Sequence, residues 1–488
     1  MKTVVIVGAG LGGLAAGILL QSKGFQVTII EKNQHAGGKM REYKEQGYSF
    51  DFGPNTITMP HVFTNVINEA GFNAQDYLQF IRLENHTMNE WEDGTRLLQS
   101  SNQKKMIEEL KKIDSYGAKQ YPSYLKAVEK LYKDANTQFF YRTFQSFRDY
   151  LSPSLSKAFM KVKPFRRMND FHEKYFKDPH VLMVFNRYAT YIGSSPYKSP
   201  ATFSLIGHLE MNDGVFYTKG GNTQIAQSFL KVFKELGGCI KFNTVVKKMM
   251  VKDKRVLGVQ TDKGEVIYGD EVIINGDFIT STKHLLNESE RPSYKDSKLD
   301  QYDPSISAFV ILAGVREFNP NVHHHHVYFT SDYKKEFYQL FEENTLPDDP
   351  TIYISHSAKT DRERTKGSNF FILVNSPATH ISEEEKLLYK EKVYDKLERM
   401  GVSIRPYLEY EKVITASSIQ KDYFAYKGSL YGISSHRMKD SFLRPYNRNQ
   451  DIDNIYYVGG TTHPGGGSPM VTISGVNVAK EIIKKYKL

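Results

Sequence analysis

The sequence predicts an α/β protein whose first strand and first helix are joined by a dinucleotide-binding turn, the opening of a Rossmann-like domain. Three observations predict it. The β-branched run "TVVIV" at residues 3–7 leads directly into glycines at 8, 10 and 13, the spacing G-x-G-x-x-G. A helix rich in small residues follows and is expected to stop at Gly24. A second strand, "FQVTII", then closes on Glu31, 18 residues beyond Gly13.

Each piece has a physical task. Gly8 makes the tight turn, Gly10 lets a pyrophosphate approach the backbone, and Gly13 lets the helix pack against the strand. The helix start at Leu11 and Gly12 offers N–H donors to the phosphates. Glu31, with Lys32 beside it, is placed to accept hydrogen bonds from ribose hydroxyls and to repel a 2′-phosphate. The run "VVIVGAGLGGLAAGILL" also invites a signal-peptide or membrane-anchor reading. A spanning helix needs about 20 apolar residues, and a signal peptide needs a cleavage site ahead of the mature chain. Here the apolar run gives way to "QSKGFQVTIIEK", a polar helix end and another strand, so the nucleotide turn is expected.

The 488 residues are 40% hydrophobic and 25% charged, an ordinary globular balance with room for two or three domains. A single cysteine, Cys239, excludes an intrachain disulfide and fits a reducing, cytoplasmic setting. In the run "GGCIKF" it is expected to be a small buried strand residue rather than a nucleophile. The net charge of +10 points to a polyanionic neighbour. No basic arm, zinc motif or RNA-binding signature accompanies it, so an anionic membrane surface is expected and nucleic acid is not.

Further along comes "GGKMREYKEQGYSFDFGPN". This resembles the FAD-dependent amine-oxidase-like flavoproteins, whose fingerprint continues into Gly-Gly-Arg. Gly37 and Gly38 match, Lys39 stands in the arginine position, and Arg41 lies two residues on. The resemblance implies FAD as cofactor, with Lys39 neutralising the diphosphate and Arg41 sharing that role. Lysine cannot make the planar bidentate contact of arginine, and both residues could equally be solvated. "LGGCIKFNTVVKKMMVKDKRVLGVQTDKGEVIYGDEVIING" alternates as successive strands and a hairpin. The resemblance sets the backbone of Val246 against the adenine. "IDNIYYVGGTTHPGGGSPMVTISGVNVAKEIIKKY" reads as a buried strand, a glycine-rich loop and a closing helix. There the resemblance implies a second approach to the flavin by Gly459, Gly460, Gly466, Gly467, Met470 and Val471. Relatives often carry an acid where this chain has Gly460, which leaves the ribityl contact unassigned.

Four longer stretches narrow the resemblance: "RYATYIGSSPYKSPATFSLIGHLEMNDGVFYTKGGNTQIAQ", "HHHHVYFT", "DPTIYISHSAKTDRERTKGSNFFILVN" and "SFLRPYNRNQDIDNIYYVGGTTHPGGGSPMV". In order and spacing they resemble the bacterial carotenoid desaturase and oxygenase family of phytoene-desaturase type. The resemblance implies hydride removal from a long, apolar, acyclic polyene carried by the membrane. "GLGG", "TMP" at 58–60 and "HPGGGSPMV" at 463–471 are more similar to the C30 oxidase branch, which converts a terminal methyl to an aldehyde. Desaturation is the alternative, a soluble amine oxidase a distant one, and a non-catalytic polyene carrier a reading from another class.

On this basis residues 1–84, 201–280 and 436–488 are expected to build a Rossmann-like FAD-binding domain of amine-oxidase/glutathione-reductase type. Residues 281–435 form an inserted α+β substrate domain, and 85–200 a helical substrate and membrane-associating insertion. "FFYRTFQSFRDYLSPSLSKAFMKVKPFRR" at 139–167 places Phe140, Phe144 and Phe147 at helical spacing, either covering the core or lying among lipids. The protein is expected at the inner face of the cell membrane as a peripheral protein, with oxygen or a quinone reoxidising the flavin and oligomeric state open. No Ser-His-Asp, paired-carboxylate or CxxC arrangement stands out. His463 is the first catalytic candidate, with Arg437 and Arg444 behind it and loop structure as the alternative. No metal is expected. The run His323–His326 alternates along a strand, and it lacks the helical pairing or carboxylate partner a metal site requires.

Overall fold

The computed structural model describes residues 1–487 apart from 147, 150–152 and 437. The β-branched runs that flank the glycine turn pair in parallel, Val5 opposite Thr28 and also opposite Val272. They form a five-stranded sheet in the order Ile455–Tyr457, Glu271–Ile274, Thr3–Val7, Gln26–Ile30, Cys239–Lys241. Three chain segments that are distant in sequence therefore meet in one parallel sheet, whose central strands Glu271–Ile274 and Thr3–Val7 are largely buried, as parallel strands covered on both faces require. Helix Leu11–Ser22 packs on helix Ser468–Tyr486. A Cβ at Gly475 would fall 2.0 Å from the Gly12 carbonyl oxygen, so only glycine permits this approach. Cys239 is exposed, contrary to the expectation of burial, because its short strand is the outer edge of the sheet.

Val246–Lys252, Arg255–Thr261 and Val266–Tyr268 form a separate three-stranded antiparallel sheet. A seven-stranded sheet runs in the order Leu408–Ile414, Ser307–Val315, Ser368–Ser376, Ile352–His356, His325–Tyr328, Asn85–Glu90, Arg96–Ser100. Residues 85–100, expected to open the helical insertion, are thus a hairpin on the edge of this sheet. Helices begin only at Gln103–Lys111 and continue with Ser115–Ala135, Pro153–Lys161, Met168–His172 and Pro179–Asn186.

The helix expected through Phe140 and Phe144 does not form. A single wide turn, Asn136–Phe140, ends the preceding helix, and irregular backbone follows. The reason is where the carbonyls go: Asn477 Nδ2 donates to Phe140 O and Arg142 O, and the His463 ring donates to Phe139 O. Carbonyls held by tertiary donors are not available to the next helical turn. Phe144 is buried against the His463 ring, while Phe147 lies outside the described residues. Among the described residues no helix is long and apolar enough to cross a membrane.

Candidate active site and cofactor cradle

The glycine turn is closed from behind by a residue that has no motif of its own. Asn275 follows the strand Glu271–Ile274; its amide donates to Val7 O and its Nδ2 donates to Gly8 O at 3.0 Å. Ideal Cβ atoms on Gly8, Gly10 and Gly12 would each come within 2.9 Å of an Asn275 atom, so the turn and this carboxamide are mutually fitted. Gly13 is fitted to both: its Cβ would lie 2.3 Å from Gly8 O and 2.9 Å from Asn275 Nδ2. The second glycine pair stacks on the first, with Gly37 N donating to Ala9 O at 2.8 Å. Glu31 is buried, and its two oxygens accept from the backbone amides of Ala9 and Asn33.

Around this turn opens a cavity of about 750 Å³, within the range of small-molecule and cofactor sites. Gly8, Gly10, Leu11, Gly12, Glu31 and Lys32 line it, as do Gly37, Gly38, Lys39 and Val246. The C-terminal loop contributes Gly459, Gly460, Gly466, Gly467 and Val471. The sequence-predicted cofactor residues are therefore brought together, with three exceptions. Gly13 packs behind the turn. Arg41 stacks over Tyr43 at 4.4 Å and does not reach the cavity wall. Met470, in the first turn of the last helix, lies against the apolar cluster that includes residues of helices Ser115–Ala135 and Pro179–Asn186.

Lys39 lines the cavity but spends its donors on protein: its ammonium donates to Ser429 O at 3.1 Å and Leu430 O at 2.6 Å. Burial of that ammonium pulls its pKa down to about 8, against the opposing pull of Asp277. Asp277 is itself buried on the wall, its carboxyl held above the usual range by burial, and it accepts from Thr280 N. Lys32 donates to Lys421 O at 2.7 Å and lies 3.6 Å from the Phe424 ring centroid.

The opposite wall is a sheet face. On Ser307–Val315 and Ser368–Ser376 alternate residues point inward, so that Val310 lies opposite Leu373 and Ala308 opposite Asn375. The intervening residues, among them Phe309, Ile311 and Phe370, pack in a core with helix Glu383–Arg399. The period of two thus gives one face to the protein core and the other to the cavity.

His463 is not on the wall. It is buried after a cis peptide to Pro464 on its C-terminal side; its Nε2 donates to Phe139 O at 2.6 Å and its own carbonyl accepts from Asn447 Nδ2. The ring joins the C-terminal loop to the segment Phe139–Phe144, so its Nε2 is engaged with protein, as the loop-structure alternative requires. Arg444 also lies off the wall, donating to Ser435 Oγ, Tyr431 O and Gly460 O. It is a positioning residue that ties Tyr431 to the glycine loop. Arg437 lies outside the described residues. His463→Ala is expected to cost about 1–3 kcal/mol, the price of leaving the buried Phe139 carbonyl without a donor. Turnover per bound flavin should stay within about two-fold, and a loss of turnover at full flavin content would restore a chemical role.

These residues fit a dinucleotide. Leu11 and Gly12 lie in the first turn of a helix with no side-chain cap, where amides have no intrahelical acceptor, and both line the cavity. A diphosphate supplies the acceptors, and the glycines leave room for it. Residues 11–483 match the family model described as flavin containing amine oxidoreductase. The chain belongs to the flavin-containing amine oxidoreductases.

The oxidoreductase uses FAD. It is 32% identical over 490 residues to the 4,4′-diapolycopene oxygenase of a Methylomonas species, covering 99% of this chain and 98% of that one. A 1-hydroxycarotenoid 3,4-desaturase from a Flavobacterium species (strain P99-3) is 32% identical, covering 97% of each chain. The 4,4′-diaponeurosporene oxygenase of Staphylococcus aureus (strain bovine RF122 / ET3-1) is 30% identical, covering 99% of this chain and 98% of that one. In fold the oxidoreductase is similar to a putrescine oxidase redesigned in its cofactor binding, with a TM-score of 0.63 at 12% identity, 99% of each chain being covered. An oxidoreductase from Methanosarcina mazei gives 0.62 at 14% identity, covering 98% of this chain and 100% of that one.

The histidine run of the oxidoreductase is engaged within the protein, and it has a carboxylate beside it that the sequence did not show, Glu90 Oε1 lying 3.4 Å from His326 Nε2. His325 Nδ1 meets Tyr353 Oη at 2.8 Å and His324 Nδ1 meets Thr360 Oγ1 at 2.6 Å; neither histidine lines the cavity. Among the described residues no group of three metal-ligating side chains converges. Burial lowers the pKa of His86 and His324 to about 3, and that of His172, His356 and His463 to about 4. With folded values below the unfolded 6.5, the unfolded chain takes up protons first. Their stabilisation is complete above pH 6.5 and is lost as pH falls towards 4. The thermal midpoint is expected to drop between pH 7 and pH 5, each such histidine contributing up to about 1.4 kcal/mol per pH unit. A flat midpoint over that interval would refute it.

Proposed function

We propose that this enzyme oxidises a terminal methyl group of a long acyclic C30 polyene to the aldehyde. One observation carries the reading: the glycine cradle and an apolar sheet face line the same cavity, so an apolar chain and a dinucleotide share one water-poor space. The names of the full-length relatives, two oxygenases and a desaturase of carotenoids, support it. Bound FAD supplies a two-electron acceptor for hydride leaving an allylic carbon. The protein's part is to bind and orient. In this reading the glycine turn and first-turn amides hold the diphosphate, Glu31 the ribose, and the start of strand Val246–Lys252 the adenine. Ala308, Val310, Phe371 and Leu373 exclude water from the substrate chain. The methyl-to-aldehyde change removes four electrons and adds one oxygen atom, so oxygen, or water with a quinone as acceptor, completes the balance.

An insoluble polyene reaches such a cavity from a bilayer. Phe165 and Met160 are 68% and 61% exposed, and Lys157, Lys161 and Arg166 lie close to them in sequence, which suits a peripheral face on the anionic inner leaflet. The competing reading, insertion of conjugated double bonds, is favoured by the desaturase relative at the same 32% identity. Expression in cells that make 4,4′-diaponeurosporene separates them. A new polyene aldehyde is the expected product. C30 hydrocarbons of longer conjugation without oxygen would establish the desaturase, and unchanged pigment would defeat both.

A further inference from the structure

Arg187 opens the short turn Arg187–Ile192 on the cavity wall, and only 7% of it is exposed. Its Nε has no hydrogen-bond partner, and among the described residues no acceptor holds its terminal nitrogens; the buried Glu210 carboxylate favours its charge from beyond ion-pair distance. A guanidinium offers five N–H donors and cannot shed its charge, so leaving it buried and unpaired is costly. Other buried arginines of this protein are paired. Arg364 is held by Asp51, Glu42 and Tyr217, Arg291 by Leu286 O, Tyr294 O and Asp296, and Arg444 by three oxygens. The Nε of Arg364 and of Arg444 is without a partner too, but their terminal nitrogens are held; Arg187 departs from them in its terminal nitrogens, and it does so where it faces a cavity.

The neighbours repeat the pattern. Tyr333 is 2% exposed, lines the same cavity, and its hydroxyl has no partner. The Tyr191 ring centroid lies 5.5 Å from the Arg187 guanidinium carbon, and the Tyr191 hydroxyl donates to Glu210 Oε1. Tyr353 completes this wall with its hydroxyl against His325. Two side chains with unused donors thus converge on a space that the apolar reading would fill with hydrocarbon. A methyl end there would desolvate the guanidinium without replacing its water.

We propose that Arg187 and Tyr333 bind a carbonyl or carboxylate oxygen on one end of the substrate chain. This rests on the polyene reading and sharpens it: the hydrocarbon is oxidised, and a polyene already oxygenated at one end is the preferred substrate. The reaction that supplies it is therefore an earlier oxidation of a terminal carbon. A site built to hydrogen-bond an oxygen discriminates strongly against the analogue that lacks it.

The test uses the flavin-loaded enzyme with two detergent-borne probes, a C30 acyclic polyene monoaldehyde and the C30 hydrocarbon of equal conjugation. Binding is read from the polyene absorbance, and anaerobic flavin reduction is followed separately. The wild type is expected to bind the aldehyde at least about ten-fold more tightly than the hydrocarbon, and Arg187→Met to remove that preference. Tyr333→Phe deletes a hydroxyl that holds nothing in the fold, and should lower the preference by about three-fold or more. Equal binding of both probes by the wild type, or a preference that survives both substitutions, overturns the proposal. So does an altered flavin spectrum in substrate-free Arg187→Met, which would assign the guanidinium to the cofactor. If neither probe binds the wild type, the polyene reading falls as well, a result distinct from loss of preference alone.

Discussion

Gly10→Val is expected to give folded protein that is almost colourless, with flavin occupancy lowered at least about ten-fold, or more than 1.4 kcal/mol of binding. The Gly10 Cβ position lies 2.9 Å from Asn275 Nδ2, and that group is engaged with the Gly8 carbonyl. A valine must displace the carboxamide or project its methyls into the space beside Gly38, whose own Cβ would lie 3.3 Å from the Gly10 Cα. Either outcome fills the diphosphate approach. The sheet itself does not depend on this contact, since Val4–Val7 remain paired on both sides. The flavin-to-protein absorbance ratio, read with circular dichroism as a check on folding, decides it. Yellow protein with full occupancy would place the cofactor elsewhere.

The largest expected loss of stability comes from a site away from the chemistry. Arg364 grips Asp51 through both terminal nitrogens, at 2.5 and 3.0 Å, and reaches Glu42 at 3.1 Å. Asp51 is 4% exposed and also accepts from Thr223 N. Arg364→Met removes the cation and leaves that carboxylate in the interior, an expected cost of about 3–5 kcal/mol. Phe52 and Gly53 follow Asp51 directly and line the cavity, so flavin retention should fall with stability. Pairing Arg364→Met with Asp51→Leu should recover part of the loss, because the orphaned charge is then gone. Unfolding midpoints in urea measure both; a single variant within 1 kcal/mol of wild type would show that the pair contributes little.

The local grammar of the site was legible in the sequence, and its long-range partners were not. Gly8, Gly10, Leu11, Gly12 and Glu31 declare themselves because a turn, a helix start and a strand end lie within 24 residues of one another. Asn275 closes the same turn from 267 residues away, and an asparagine after a strand carries no signal of its own. Asp51 and Arg364, 313 residues apart, are equally silent until the chain is folded. His463 misleads for the converse reason. Its glycine-rich surroundings suggest a cofactor loop, yet the Phe139 carbonyl, 324 residues earlier, captures its ring. The aromatic spacing of Phe140 and Phe144 misleads likewise, because periodicity cannot reveal that Asn477 takes the carbonyls a helix would use. Arg187 sits in "NRYATY", where nothing marks it as unpaired.

The parallel sheet has a consequence for how the protein is made. Its outer strand Ile455–Tyr457 and the helix that packs on Leu11–Ser22 leave the ribosome long after the glycine turn. Translation at about 5–20 residues per second leaves the amino-terminal half waiting tens of seconds for these strands. Through that interval the nascent chain shows apolar surface with no companion, and the cavity, lined by both early and late segments, is complete only once the last of them is made.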